Sequence, residues 1–310
     1  MRARIWVAVA AVVVAGGAYW AWSGPAGISD DALAGHYATP LTPPGQALPV
    51  YHLGHSLVGR DMPAILAQFA GHDHASQLGW GGSLQGHWTG DIPGFAEENA
   101  HAHFRPAFEA VDSGDYPVVV LTEMVELGDA IRYFDSPEYL ALWAKRIRDA
   151  RPDARIYLYE TWHRLDDPRG FLTRIDEDRA ALWEGTLLRE AKATEGVGTI
   201  HVIPGGQVKA AAVRAIEAGE VPGLTRREDL FGLNPDGSPD PIHFNDPGAY
   251  LMALTHYAVI YHRSPVGLPA DVLRADGTPV TPIAPETAAA MQRIVWDVVT
   301  RYAATGVSGG

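Results

Sequence analysis

The sequence predicts an α/β domain in which a parallel five-stranded sheet carries helices on both faces. Three observations point there. Short apolar runs alternate with amphipathic stretches along most of the 310 residues, the order of repeated strand–helix units. Runs such as "VVVLT" and "IYLY" are short and apolar, as strands buried on both faces must be. Apolar content near half and charge near a fifth are ordinary for a globular chain, and this length is ample for one large core.

The elements follow in order. The candidate strands are 48–53 ("LPVYHL"), 75–78 ("ASQL"), 117–122 ("PVVVLT"), 155–159 ("RIYLY") and 199–203 ("TIHVI"). Amphipathic patterns between them predict helices over 61–70, 96–111, 137–150, 171–193 and 206–218, with two more at 247–262 and 285–303. No internal repeat interrupts the pattern, so residues 47–304 read as one domain. Residues 23–46 are rich in Pro, Gly and small side chains, the composition of a tether or a surface-wrapping segment. Ahead of them Arg2 and Arg4 precede an uncharged apolar run over 5–22. Residues 1–22 therefore read as a signal peptide or an N-terminal membrane anchor. The missing A-x-A site and the aromatic Tyr19, Trp20 and Trp22 favour the anchor. Either reading places the domain outside the cytoplasm, periplasmic or extracellular, with membrane association only through this segment.

Composition excludes several functions. A net charge of -13 argues against phosphate-backbone binding, which relies on Lys and Arg, so no nucleic-acid partner is expected. With no Cys, disulfides, thiolate metal sites and cysteine nucleophiles are ruled out. The densest histidine clusters, "GHDH" (71–74) and "HAH" (101–103), lack H-E-x-x-H spacing and read as surface or cap residues, so no metal is expected. "PGGQ" after the fifth strand lacks the Lys-Ser/Thr of a phosphate loop. No cofactor is expected.

In open parallel sheets, ligands sit beyond the carboxyl ends of the strands. The chemistry-bearing residues fall there. Ser56 in "GHSL" follows the first strand, and "GWGGSL" the second. "TEMVE" follows the third, and "ETWHRLDD" the fourth. Near the C-terminus, "DPIHFNDPGAY" places Asp240 three residues before His243. In a turn or a one-turn helix, that spacing lets the carboxylate hold one imidazole nitrogen while the other faces outward, the tautomer a general base needs. The same stretch also reads as a helix cap, with Asp240 or Asp246 capping and His243 a polar surface residue.

Together, the G-x-S-L element after the first strand, the glycine-rich element after the second and the late D-x-x-H resemble the SGNH, or GDSL-type, hydrolases over roughly residues 48–262. The resemblance implies a flavodoxin-like three-layer α/β/α sandwich. It implies Ser56 as nucleophile, His243 as base and Asp240 as the orienting acid. It assigns the oxyanion donors to the backbone N–H of Ser56 and to Gly81, with Gly82 the close alternative. Trp80, His87 and Trp88 flank that loop as pocket lining or as packing.

Two positions depart from the family pattern. His55 stands where the family has Asp. The third block, "LTEMVELGD", lacks the Asn that donates to the oxyanion. An ionised carboxylate accepts hydrogen bonds and donates none, so Glu123 must be protonated, point elsewhere or bind a substrate hydroxyl. Asn99 and Gln77 are the candidate substitutes. Glu160 and His163, at the end of the fourth strand, are read with Glu123 as substrate contacts, the two glutamates otherwise taking salt bridges with Arg164 or Arg132. The expected activity is hydrolysis of a small-molecule or glycan ester, foremost an O-acetyl group on a carbohydrate or cell-envelope glycan. A catalytically weak carbohydrate-binding protein on the same fold, and a lipase or thioesterase, are the alternatives.

Overall fold

The computed structural model describes residues 27–308. The proposed signal or anchor over 1–22 lies outside the described residues, as does the start of the 23–46 segment. The remainder of that segment wraps the domain. The Tyr37 hydroxyl donates to the Ile200 carbonyl (2.9 Å), and the Leu41 N–H to the Gly306 carbonyl (2.9 Å).

Five parallel strands form the sheet: β1 (Val50–Leu53), β2 (His74–Gln77), β3 (Val118–Leu121), β4 (Arg155–Glu160) and β5 (Ile200–Pro204), in the order β2-β1-β3-β4-β5. This is the flavodoxin-like order, and every neighbouring pair is parallel. Helices cover both faces, giving the expected three layers. One face packs β1, β3, β4 and β5 against the helices Asp61–Ala70, Gly205–Glu217, Asp246–Tyr261 and Pro285–Arg301. The other packs the sheet against Ser136–Ala150 and the long helical run beginning at Phe171. All four residues of β1 and of β3 are buried, which explains why their sequences do not alternate.

The helix over 61–70 lies where the pattern places it, closed by Gly71 in the left-handed region. The helix expected over 96–111 is instead two short ones, Phe95–Glu98 and Ala107–Asp112. Asn99 and Pro106 account for the break. The Asn99 side chain satisfies backbone groups of Leu78 and Phe95, and Pro106 excludes helix at the residue before it. The run 171–193 is helical to Ala191, with a π-helical stretch over Arg179–Leu188.

The short helices Asp30–Gly35, Leu84–Thr89 and Leu127–Tyr133 were not anticipated, nor was one pair of strands. After the Gly205–Glu217 helix the chain forms an antiparallel hairpin, β6 (Phe231–Leu233) with β7 (Pro239–Phe244). Its irregular register carries Asp240 and His243.

Candidate active site

The sheet order reverses between β1 and β3, so their carboxyl ends flank the crevice where such folds bind ligands. Ser56 lies three residues beyond β1. The turn that carries it is tightly held. Gly54 packs against β3 so closely that a Cβ there would sit 2.6 Å from Thr122 Cβ. The N–H groups of Val58 and Gly59 return to the His55 carbonyl.

Two buried imidazoles fix this turn from either side. His55 Nε2 donates to the Glu123 carbonyl at 2.9 Å, while its Nδ1 accepts the Leu57 N–H at 3.3 Å. His87 Nε2 donates to the Gly54 carbonyl at 2.8 Å, while its Nδ1 faces the Gln77 amide at 3.0 Å. Each ring has one donor and one acceptor role, as only a neutral imidazole can. Burial brings both pKa values down to about 4, against a smaller opposing effect of the hydrogen bond to the carbonyl. His55 is thus a strut between the β1 and β3 ends.

From the hairpin, His243 reaches across to this turn. Its Nε2 lies 2.9 Å from Ser56 Oγ, and its Nδ1 lies 2.8 Å from Asp240 Oδ2. The carboxylate can only accept, so Nδ1 carries the proton and Nε2 is left to accept from the hydroxyl. Asp240 and His243 do not occupy the turn or one-turn helix expected from their spacing. They sit on β7, where residues three apart would normally face opposite sides. The strand is kinked by Asp240 itself, whose Oδ1 accepts the N–H groups of Ile242 (2.8 Å) and His243 (2.9 Å). Burial pushes the Asp240 carboxyl up, but these two N–H groups and the imidazole hold it below the usual carboxylate range. Two further bonds anchor the hairpin to the loop after β4: Trp162 Nε1 to the Ile242 carbonyl (2.8 Å) and the Leu165 N–H to the Pro241 carbonyl (2.8 Å).

No protein-family model matches this chain, and no curated protein matches it. Among solved structures the likeness is distant. A DUF4886-family protein from Bacteroides uniformis shares 16% identity at a TM-score of 0.48, over 81% of this chain and 94% of that one. A putative GDSL-like lipase from Parabacteroides merdae shares 14% at 0.43, over 70% and 96%. A gut microbial diltiazem-metabolizing enzyme shares 13% at 0.39, over 72% and 48%.

Around Ser56 and His243 opens a cleft of about 670 Å³, lined by charged and polar side chains that include Arg60, Asp61, Glu98 and His101. Sequence reasoning missed these. Arg60 stands four residues after Ser56, at the start of the Asp61–Ala70 helix, and that proximity was the available signal.

The second loop behaves differently at its two glycines. Gly81 is exposed, with φ of 59° and open space where a Cβ would point, whereas Gly82 is buried against His87. Among the described residues, the backbone N–H groups of Ser56, Gly81 and Gly82 find no acceptor in the protein. Asn99 is fully committed, its amide donating to the Leu78 and Phe95 carbonyls. Gln77 is buried between His87 and the Ala107 N–H. Both side chains are engaged within the fold, and neither lines the cleft. Trp88 packs edge-on against Trp143 and Phe108 in the core, while Trp80 is exposed and donates to Glu98.

Glu123, Glu160 and His163 do not line this cleft, and the expectation that they meet substrate is corrected by their burial. Glu123 turns inward, accepting the N–H groups of Leu84 (3.2 Å) and Met124 (2.8 Å) and the Ser136 hydroxyl. Burial nevertheless raises its pKa to about 7. Glu160 caps the Gly205–Glu217 helix through the Gln207 N–H and side chain, and burial raises it to about 7 as well. The glycine pair of "PGGQ" makes room for that carboxylate, since a Cβ on Gly206 would lie 2.6 Å from Glu160 Oε1. His163 pairs with Asp178 at 3.0 Å.

Proposed function

We propose that this protein is a serine esterase that releases a small acyl group, foremost acetate, from a carbohydrate or cell-envelope glycan. The observation that carries the reading is the unbroken hydrogen-bond series from Ser56 Oγ through His243 to Asp240. In the proposed reaction His243 Nε2 takes the hydroxyl proton as Ser56 attacks the ester carbonyl. Asp240 steadies the imidazolium. The collapsing intermediate takes that proton back on the leaving alcohol, and a water, activated by the same imidazole, frees the acid.

Negative charge on the former carbonyl oxygen needs donors aimed in advance. The unpaired amides of Ser56, Gly81 and Gly82 are the groups assigned to it, without a side-chain amide. The cleft wall supports a polar substrate over a long acyl chain, because Arg60, Asp61, Glu98, His101 and Asp276 line it. Such groups suit the hydroxyls of a sugar and penalise an alkyl chain. An exported location belongs to the same proposal.

The test is labelling by a fluorophosphonate probe, followed by acetate release from a panel of acetylated glycans. Labelling of Ser56 that is lost in His243→Ala, together with acetate release lost in Ser56→Ala, supports the esterase. Glycan binding without labelling favours a silent binding protein. Activity that grows with acyl length favours a lipase or thioesterase.

A further inference from the structure

We infer that Glu126, His163 and Asp167 form a site for one divalent transition-metal ion of the zinc type, beside the hairpin that carries Asp240 and His243. One ring nitrogen of His163 and one oxygen from each carboxylate lie within 4.8 Å of one another. His163 is 3% exposed. Its Nε2 lies 3.0 Å from Asp178 Oδ2. Its Nδ1 is buried and has no hydrogen-bond partner. A carboxylate holding one imidazole nitrogen while the other presents its lone pair is the arrangement that orients histidine ligands. A buried acceptor left unpaired is costly, and the neighbouring ligand atoms of Glu126 and Asp167 are acceptors too. The two carboxylates already accept from Arg174; a cation would add the partner that Nδ1 lacks.

Charge points the same way. Glu126, Asp167 and Asp178 share one guanidinium, that of Arg174, at 3.2, 2.7 and 3.0 Å. The other arginines nearby bring their own carboxylates: Arg164 pairs with Asp166, and Arg169 pairs with Glu177 while also lying 4.0 Å from Asp178. The cluster therefore keeps two negative charges in excess. An oxygen that accepts from Arg174 retains a second lone pair, so the arginine and a metal ion can share these carboxylates. One imidazole with two carboxylates suits zinc; calcium and magnesium call for more oxygen ligands. The ion would tie the loop after β3, through Glu126, to the loop after β4, which is bonded to β7 at Pro241 and Ile242. It would brace the hairpin without touching the reacting atoms.

The test is titration of chelator-treated full chain with zinc chloride by calorimetry, with thermal unfolding in parallel. Neither readout depends on activity. One saturable site per chain is expected, with a zinc-dependent rise in melting temperature. His163→Gln should abolish both. Glu126→Gln, at a half-exposed position, should weaken binding at least tenfold. Asp178→Asn should weaken it by about 10- to 100-fold. His103→Asn, in the separate loop histidines, should leave binding unchanged. Absence of a saturable site in the unaltered protein overturns the inference, as does binding that survives Glu126→Gln and His163→Gln or is lost in His103→Asn.

Discussion

His87 donates its Nε2 proton to the carbonyl of Gly54 at 2.8 Å, so a residue of the Leu84–Thr89 helix holds the backbone two positions before Ser56. With His55 it makes the serine turn depend on two rings that must stay uncharged. Both have pKa values near 4 in the folded protein through burial, against about 6.5 in an unfolded chain. Between those values the unfolded state binds more protons, so stability rises with pH. Their contribution is complete above about pH 6.5 and is lost as pH falls through 4. Each can cost on the order of 3 kcal/mol once fully protonated. His87→Gln offers an amide donor to Gly54 and a carbonyl to the Gln77 amide. Its urea midpoint is expected to fall less steeply than that of the unaltered protein between pH 6.5 and 4.

Glu123 behaves in the opposite sense. Burial raises its folded pKa to about 7, above an unfolded value near 4.5. The folded state binds more protons in that window, so its stabilising contribution is present below about pH 4.5 and is lost as pH rises through 7. Glu123→Gln keeps a carbonyl for the Leu84 and Met124 N–H groups and cannot ionise. Relative to the unaltered protein it should gain stability above pH 7 and show no gain at pH 4.5. Glu123→Ala strands three buried donors and should cost about 3 kcal/mol or more. Urea melts at pH 4.5 and 8 separate these outcomes. A loss of substrate affinity in Glu123→Gln with unchanged stability would instead restore the substrate contact read from the sequence.

Asp240 does two things, orienting His243 and kinking β7 through the N–H groups of Ile242 and His243. Asp240→Asn keeps an acceptor for the backbone but turns a donor or a weaker acceptor toward Nδ1. The imidazole then loses its fixed tautomer. If the proposed esterase chemistry holds, kcat should fall by roughly 10⁴-fold with KM little changed, as in other Ser-His-Asp enzymes. Asp240→Ala should fall as far and also lower the melting temperature, because the kink loses its support. Steady-state kinetics with an acetyl ester, beside a thermal melt, distinguishes the two.

How much of this was legible beforehand differs between sheet and site. The five strands announced themselves because β1, β3 and β4 are buried on both faces, so position in the fold and composition agree. Ser56 and His243 stood out because each follows or precedes a recognisable break in the pattern. β7 did not, because Pro239 and Pro241 read as loop. Proline is tolerated on this two-stranded ribbon, whose outer edges need no ladder donor. Glu123 was misplaced for another reason. Its direction is set by Leu84 and Ser136, 39 and 13 residues away, and local spacing carries no trace of such partners. The same holds for Asn99, whose amide looked free and is spent on Leu78 and Phe95.

Lys209 gives the last prediction. It is fully buried, and its ammonium finds no hydrogen-bond partner. It rests instead over the rings of Trp162 (3.6 Å) and Phe231 (4.0 Å), beneath the hairpin. Burial drives its pKa well below the usual lysine range, and the carboxylate of Asp240 opposes this only in part. Two aromatic faces offer a desolvated cation about 2 kcal/mol or somewhat more, less than the several kcal/mol that burying an unpaired ammonium costs. The unfolded chain therefore holds the proton more tightly, and stability rises with pH until lysine titrates in the unfolded state near 10.4. Lys209→Met keeps the length and the packing without the charge. Its urea midpoint should exceed that of the unaltered protein at pH 7, and the difference should shrink as pH approaches 10. A midpoint that falls at pH 7 would mean that the two rings more than offset the cost of burial.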